Sequence, residues 1–137
     1  MEIFYPVMLL MIHTMLVVML MGYRRYSAVS KRQVDPEYYK LYVGEESPEC
    51  RVVARHVINL LETPPLFYLG AIIAFVTSQS GSLLLGLAWA YVTLRLVHTV
   101  IHLGGNVVIW RFRIFVLSML VLMAFLGLIA YGLIGAT

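Results

Sequence analysis

Apolar residues along this chain gather into four stretches, roughly 3–23, 57–77, 83–103 and 114–133, and polar residues gather between them. Each stretch is about 20 residues, the length an α-helix needs to cross a ~30 Å hydrocarbon core. A soluble bundle would carry a polar stripe along each helix. Residues 119–133 show none, and residues 9–20 are interrupted only by His13 and Thr14. The pattern predicts four membrane-spanning helices at about 3–23, 50–77, 83–103 and 110–133 within one domain covering residues 1–137. Pro64-Pro65 falls inside the second and predicts a kink, because a membrane bundle can satisfy the carbonyls that proline leaves free. The fold class expected is an all-α integral membrane four-helix bundle.

Between the stretches, the basic residues are one-sided. Arg24, Arg25, Lys31, Arg32, Lys40, Arg51 and Arg55 lie in the first connection, and Arg111 and Arg113 precede the last stretch. The 78–82 turn and both termini carry no Lys or Arg, and Arg95 alone lies within an apolar stretch, the third. Basic loops stay cytoplasmic, so both termini are expected outside and both basic connections inside. Glu2, the lack of a basic leader and the Arg24-Arg25 stop argue against a cleavable signal.

Composition narrows the class further. Hydrophobic residues make up 61% of the chain and charged residues 12%, too apolar for a soluble domain of 137 residues. The net charge of +3 is local to the membrane edge, where it meets anionic headgroups, and forms no patch for nucleic acid. Cys50 is the single cysteine, so no internal disulfide can form, and it is taken as an inert thiol. In the first connection, Tyr38, Tyr39 and Tyr42 suggest a short interfacial helix, and Ser47-Pro48-Glu49 the start of the second span. Gly104-Gly105 is expected to end the third. The small residues Gly81, Gly86, Ala90, Gly127, Gly132 and Gly135 are candidates for close helix contacts.

The polar residues inside the spans carry the candidate chemistry. Counting from the inner ends at 1.5 Å per residue, Glu62 lies roughly 10 Å deep and Arg95 roughly 12 Å deep, on adjacent antiparallel helices. Arg55, Asn59 and Glu62 are spaced i, i+4, i+7, and Arg95, His98 and His102 i, i+3, i+7, so each trio occupies one helical face. An unpaired charge at such depth costs a few kcal/mol or more, which predicts a Glu62–Arg95 ion pair extended by Asn59 and His98. Two readings stay open: a network that only sets helix register, or a polar cavity open to the cytoplasm with an arginine rim suited to an anion. Metal binding is not expected, since His98 and His102 are taken to have no third imidazole or thiolate level with them on a neighbouring helix. His13 is expected to face a neighbouring helix. No inverted repeat supports a transporter, and no Gly-x-Ser-x-Gly supports a hydrolase.

At these positions the chain resembles a known family. Arg51-Val-Val-Ala-Arg55-His-Val-Ile-Asn59-Leu-Leu-Glu62-Thr-Pro-Pro-Leu-Phe67 is similar to the second-helix signature of the MAPEG proteins, membrane-associated proteins in eicosanoid and glutathione metabolism. Arg95-Leu-Val-His98-Thr-Val-Ile-His102-Leu-Gly104 resembles the third-helix signature. The resemblance implies a homotrimer, with glutathione as co-substrate bound between subunits at the cytoplasmic side. By position it assigns Arg24, Arg55, Asn59, Glu62, His98 and His102 to glutathione binding and Arg111 to stabilising its thiolate. Phe112 and Phe115 stand where enzymatic members carry a hydroxyl, Ile58 where several carry Arg, and His102 where a Tyr is expected. The resemblance therefore implies either a glutathione-dependent transferase or peroxidase acting on lipophilic small molecules, or a non-catalytic membrane trimer on the same fold. It points to the bacterial branch of the family, hence to a bacterial inner membrane.

Overall fold

The computed structural model describes residues 2–135. Its elements are α1 Phe4–Ser30, α2 Tyr38–Leu41, α3 Pro48–Glu62, α4 Pro64–Val76, α5 Ser82–Leu103 and α6 Val108–Gly135, with no strand among the described residues. The pair α3 and α4 reads as one span, so four rods are long and apolar enough to cross a membrane.

The second rod is broken rather than merely bent. Pro64 and Pro65 have no N–H to return to the carbonyls of Leu60 and Leu61. Thr63 sits at φ −103°, ψ −37° between the two helices, and the bond from Leu66 N to Thr63 O at 3.1 Å restarts the ladder. The last carbonyls of α3 are thereby left for other donors.

Helix α1 runs beyond the expected stop near residue 23, to Ser30. Its extra turns are held by the first connection. Arg25 Nε lies 3.2 Å from Glu46 Oε1, and Ala28 packs with Val34 and Cys50. The helix closes with Arg32 in the left-handed region (φ 57°), while Gln33 N bonds Ala28 O and Arg32 N bonds Val29 O, both at 2.9 Å. That paired arrangement satisfies the terminal carbonyls. The tyrosines of the short α2 and its end surround Arg25, whose guanidinium lies 5.3 Å from the Tyr39 ring and 5.8 Å from the Tyr42 ring. As expected from Ser47-Pro48, α3 starts at Pro48, with Ser47 Oγ accepting from Cys50 N at 3.3 Å.

Around Phe67 the core is apolar. Its ring lies 4.9 Å from Tyr91 and 5.3 Å from Phe125, and Leu10, Ala71, Ala88 and Val92 close the cluster. Gly70 sits at the close approach of α4 and α6: a Cβ there would meet Leu126 Cδ2 at 2.6 Å and Phe125 Cε1 at 3.0 Å, so the Leu126 side chain would have to move aside. Of the small residues named from sequence, Gly132 is tightly packed, against Gln79, whereas Gly81, Gly86, Gly127 and Gly135 face open space. α5 ends at Leu103 before Gly104, as its glycines suggest. Met8, Ile12, Met15, Leu16 and Met19 of α1 are exposed, which suits a surface facing lipid chains.

Candidate functional site

Helix α3 has two working faces. Cys50, Val53, His56, Val57 and Leu60 form its buried face, at helical spacing. Arg55, Asn59 and Glu62 form a second ridge about 100° round the axis, since neighbouring residues on a helix are that far apart. Arg55 and Glu62 on this ridge are exposed and Asn59 is half-buried. On α5, by contrast, Arg95, His98, Thr99 and His102 are all buried. The two expected ridges therefore do not face each other squarely.

The consequence falls on the expected Glu62–Arg95 ion pair, which does not form. Arg95 is fully buried, and its Nη2 donates to the backbone carbonyl of Asn59 at 2.7 Å. The ion pairs among the described residues are Arg24–Glu49, Arg25–Glu46 and Lys40–Glu37. Arg95 has taken one of the last four carbonyls of α3, at the partially negative end of that helix. Its guanidinium also lies 5.7 Å from the Phe115 ring. A helix terminus created by the diproline break has replaced the carboxylate as its partner.

A cleft of ≈ 360 Å³ opens beside this contact. Arg55, Asn59, Glu62, His98, His102 and Arg111 line its polar part, and Ile58, Val108, Phe112 and Phe115 its apolar part. Arg111 is aimed from α6 by the preceding turn: its Nη1 donates to Asn106 Oδ1 at 2.8 Å and approaches His102 Nε2 at 3.3 Å. Asn106 itself adopts φ 46°, a left-handed conformation that asparagine tolerates. Asn59 Nδ2 donates to Arg55 O at 2.9 Å, leaving the Asn59 side-chain oxygen for a ligand. Arg24 is not on the cleft; it lies 3.6 Å from Glu49. A larger hollow of ≈ 660 Å³ at the opposite end surrounds the 78–82 turn and has no basic lining.

Behind the cleft lies a polar cluster larger than the sequence suggested. His56 stands beside His98 and His102, with ring centroids 5.4 Å and 4.8 Å away. The expectation that no third imidazole shares their level is thus overturned: α3 supplies one from its buried face. Thr99 joins the cluster, with Oγ1 2.8 Å from both His13 Nε2 and His56 Nε2 and donating to Arg95 O at 3.0 Å. His13 faces a neighbouring helix, as expected. His56, Thr99 and Asn106 were not singled out from sequence. A depth count along α3 would have found His56, which is one residue from Arg55 and so level with His102; nothing marked Thr99 or Asn106.

Four membrane-length helices enclosing an arginine- and imidazole-lined cleft define an integral, multi-pass membrane protein with a polar site in its bundle. The chain belongs to the MAPEG family, whose profile matches residues 3–131 of the 137. Membership places it among membrane proteins of the glutathione and eicosanoid metabolism type. No curated protein and no solved structure matches the chain.

Proposed function

We propose that this protein is a glutathione-dependent membrane transferase or peroxidase acting on lipophilic electrophiles. The observation that carries the reading is the mixed lining of one cleft, in which Arg55, Asn59, Glu62 and Arg111 stand against Ile58, Phe112 and Phe115. Glutathione has two carboxylates, one ammonium and a thiol. Arg55 suits a carboxylate, Glu62 the ammonium, and the free oxygen of Asn59 a peptide N–H. His98 and His102 complete the polar wall. Arg111, held by Asn106, favours the thiolate over the thiol by charge proximity. The thiolate sulfur then attacks an electrophilic carbon and the leaving group departs with its electron pair. In the peroxidase form, two glutathiones become a disulfide while a hydroperoxide becomes an alcohol and water. The apolar wall gives a bilayer-borne substrate a place beside the sulfur.

The same ridge supports a homotrimer. Arg55 and Glu62 are exposed on the single chain, and a charge facing lipid costs a few kcal/mol or more. A neighbouring copy covering this ridge removes the cost, closes the cleft, and supplies Arg24 from across the boundary. The one-sided basic loops support a cytoplasmic location for this end with both termini outside, and the likeness to the bacterial branch of the family supports a bacterial inner membrane. Phe112 and Phe115 bring no hydroxyl to the cleft, and this favours the second reading, a non-catalytic trimer that binds a small molecule on the same fold.

Purified protein in detergent tests the proposal. Added glutathione should develop thiolate absorbance and conjugate a generic aryl halide, with both lost in Arg111→Ala and binding weakened in Arg55→Ala. Binding without conjugation selects the second reading. No binding, or binding indifferent to both substitutions, removes glutathione from this cleft.

A further inference from the structure

We propose that His56, His98 and His102 form a three-imidazole site for one transition-metal cation of the zinc class, with its remaining coordination position toward the cleft. Their ligand-capable nitrogens all lie within 4.8 Å of one another, and all three residues are buried. Two come from successive turns of α5 at i, i+4 and the third from the adjacent α3, so two rigid elements present the set. Tetrahedral Zn–N bonds of about 2.0–2.1 Å require ligand nitrogens about 3.4 Å apart, so the widest pair has to close by about 1.4 Å at most from its present separation.

The hydrogen bonds already prepare one ligand. The single hydroxyl proton of Thr99 goes to Arg95 O, so both imidazoles at its Oγ1 must donate from Nε2. His56 therefore carries its proton on Nε2 and a lone pair on Nδ1. That Nδ1 is buried and unpartnered, as are Nδ1 of His98 and Nδ1 of His102. A histidine oriented through its far nitrogen by a hydrogen-bond acceptor is the usual setting of a metal ligand. Leaving three such atoms unpaired in a bundle interior is costly, and a cation held by one nitrogen of each ring relieves that cost wherever the ring turns its Nδ1 inward. His102 loses only the 3.3 Å approach of Arg111, which keeps its 2.8 Å bond to Asn106.

The all-nitrogen ligand set decides which cation. Three neutral imidazoles cancel none of the metal's charge, and Arg95 and Arg111 stand nearby. Magnesium and calcium, which want oxygen ligands, are excluded, whereas Zn2+, Co2+ and Cu2+ bind imidazole strongly. An anion entering from the cleft, hydroxide or chloride, completes the shell. His98 and His102 line the cleft and His56 does not, so His56 separates this site from the glutathione reading.

Chelator-stripped full-length protein carrying no polyhistidine tag, titrated with Co2+, provides the test. We expect one Co2+ per chain, with the intense visible absorption of four-coordinate cobalt, displaced by Zn2+. His56→Gln should weaken binding by 100-fold or more, by analogy with the 10–100-fold cost of losing even an outer-shell partner, while His13→Asn leaves it in place. X-ray absorption of the Zn2+-loaded wild type should count three imidazoles, which keeps the test decisive if His56→Gln does not fold. Substoichiometric uptake, a six-coordinate cobalt spectrum, fewer than three imidazoles, or full affinity in folded His56→Gln would overturn the site. None of these readings uses glutathione, so the two proposals fail separately.

Discussion

Arg95 Nη2 lies 2.7 Å from the carbonyl oxygen of Asn59, and this contact ties α5 to the last turn of α3 just before the diproline break. It explains how a guanidinium survives in a bundle without a carboxylate: the break exposes carbonyls at a helix end whose dipole favours a cation. The accommodation is incomplete, because Nε and Nη1 of Arg95 are buried without a protein partner. Arg95→Met, which fills the volume and removes the buried charge, should change thermal stability in detergent little. Arg95→Ala, which adds a cavity, should cost about 2–5 kcal/mol. Equal losses in the two variants would show that the charge itself stabilises the bundle.

Thr99 carries two imidazoles from two other helices on one oxygen. Thr99→Val keeps the shape and removes the acceptor, stranding the N–H groups of His13 and His56. A loss of about 2–4 kcal/mol is expected, the sum of two unsatisfied donors, His56 buried and His13 half-buried. Thr99→Ser should recover most of it. The measurement is chemical or thermal unfolding of the three proteins side by side.

Arg111 and Asn106 should separate in their kinetic effects. If the protein is the glutathione transferase proposed above, Arg111→Ala removes the charge beside the sulfur and should lower kcat/KM for conjugation by about 100-fold or more, a figure typical of losing one electrostatic contact to a reacting anion. Asn106→Gly keeps the left-handed turn and removes only the side-chain acceptor. It should cost about tenfold, the equivalent of one hydrogen bond of about 1.4 kcal/mol. A result for Asn106→Gly as severe as that for Arg111→Ala would mean that Asn106 contacts the ligand itself.

In the first connection, the buried Tyr39 hydroxyl should ionise late. Burial first, then Cys50 and Glu46, push its pKa up to about 12, against the lowering effect of Arg25. The ultraviolet difference between wild type and Tyr39→Phe should therefore rise near pH 12. An unfolded tyrosine ionises near pH 10, so the unfolded chain loses this proton first. Stabilisation from Tyr39 is present below about pH 10 and declines as pH rises toward 12. A difference signal centred near pH 10 would place the hydroxyl in water.

Local pattern was enough to determine the membrane class, the four rods, the start at Ser47-Pro48 and the place, though not the full extent, of the disturbance at Pro64-Pro65, because apolar length, capping chemistry and proline's missing N–H act within a few residues. Counting depth on adjacent antiparallel helices put Arg55, Asn59, Glu62, His98 and His102 at one level, while Arg111 came from the family resemblance and the cleft that joins them from the bundle. Rotation of each helix about its own axis was beyond such counting. Packing of Val53, Val57 and Leu60 turns α3 so that His56 faces inward and Glu62 outward. That turn separates Glu62 from Arg95 and gathers the third imidazole. Only the assembled bundle could decide it, because neighbouring positions on α3 differ by about 100° and the sequence offered polar residues on two of its faces.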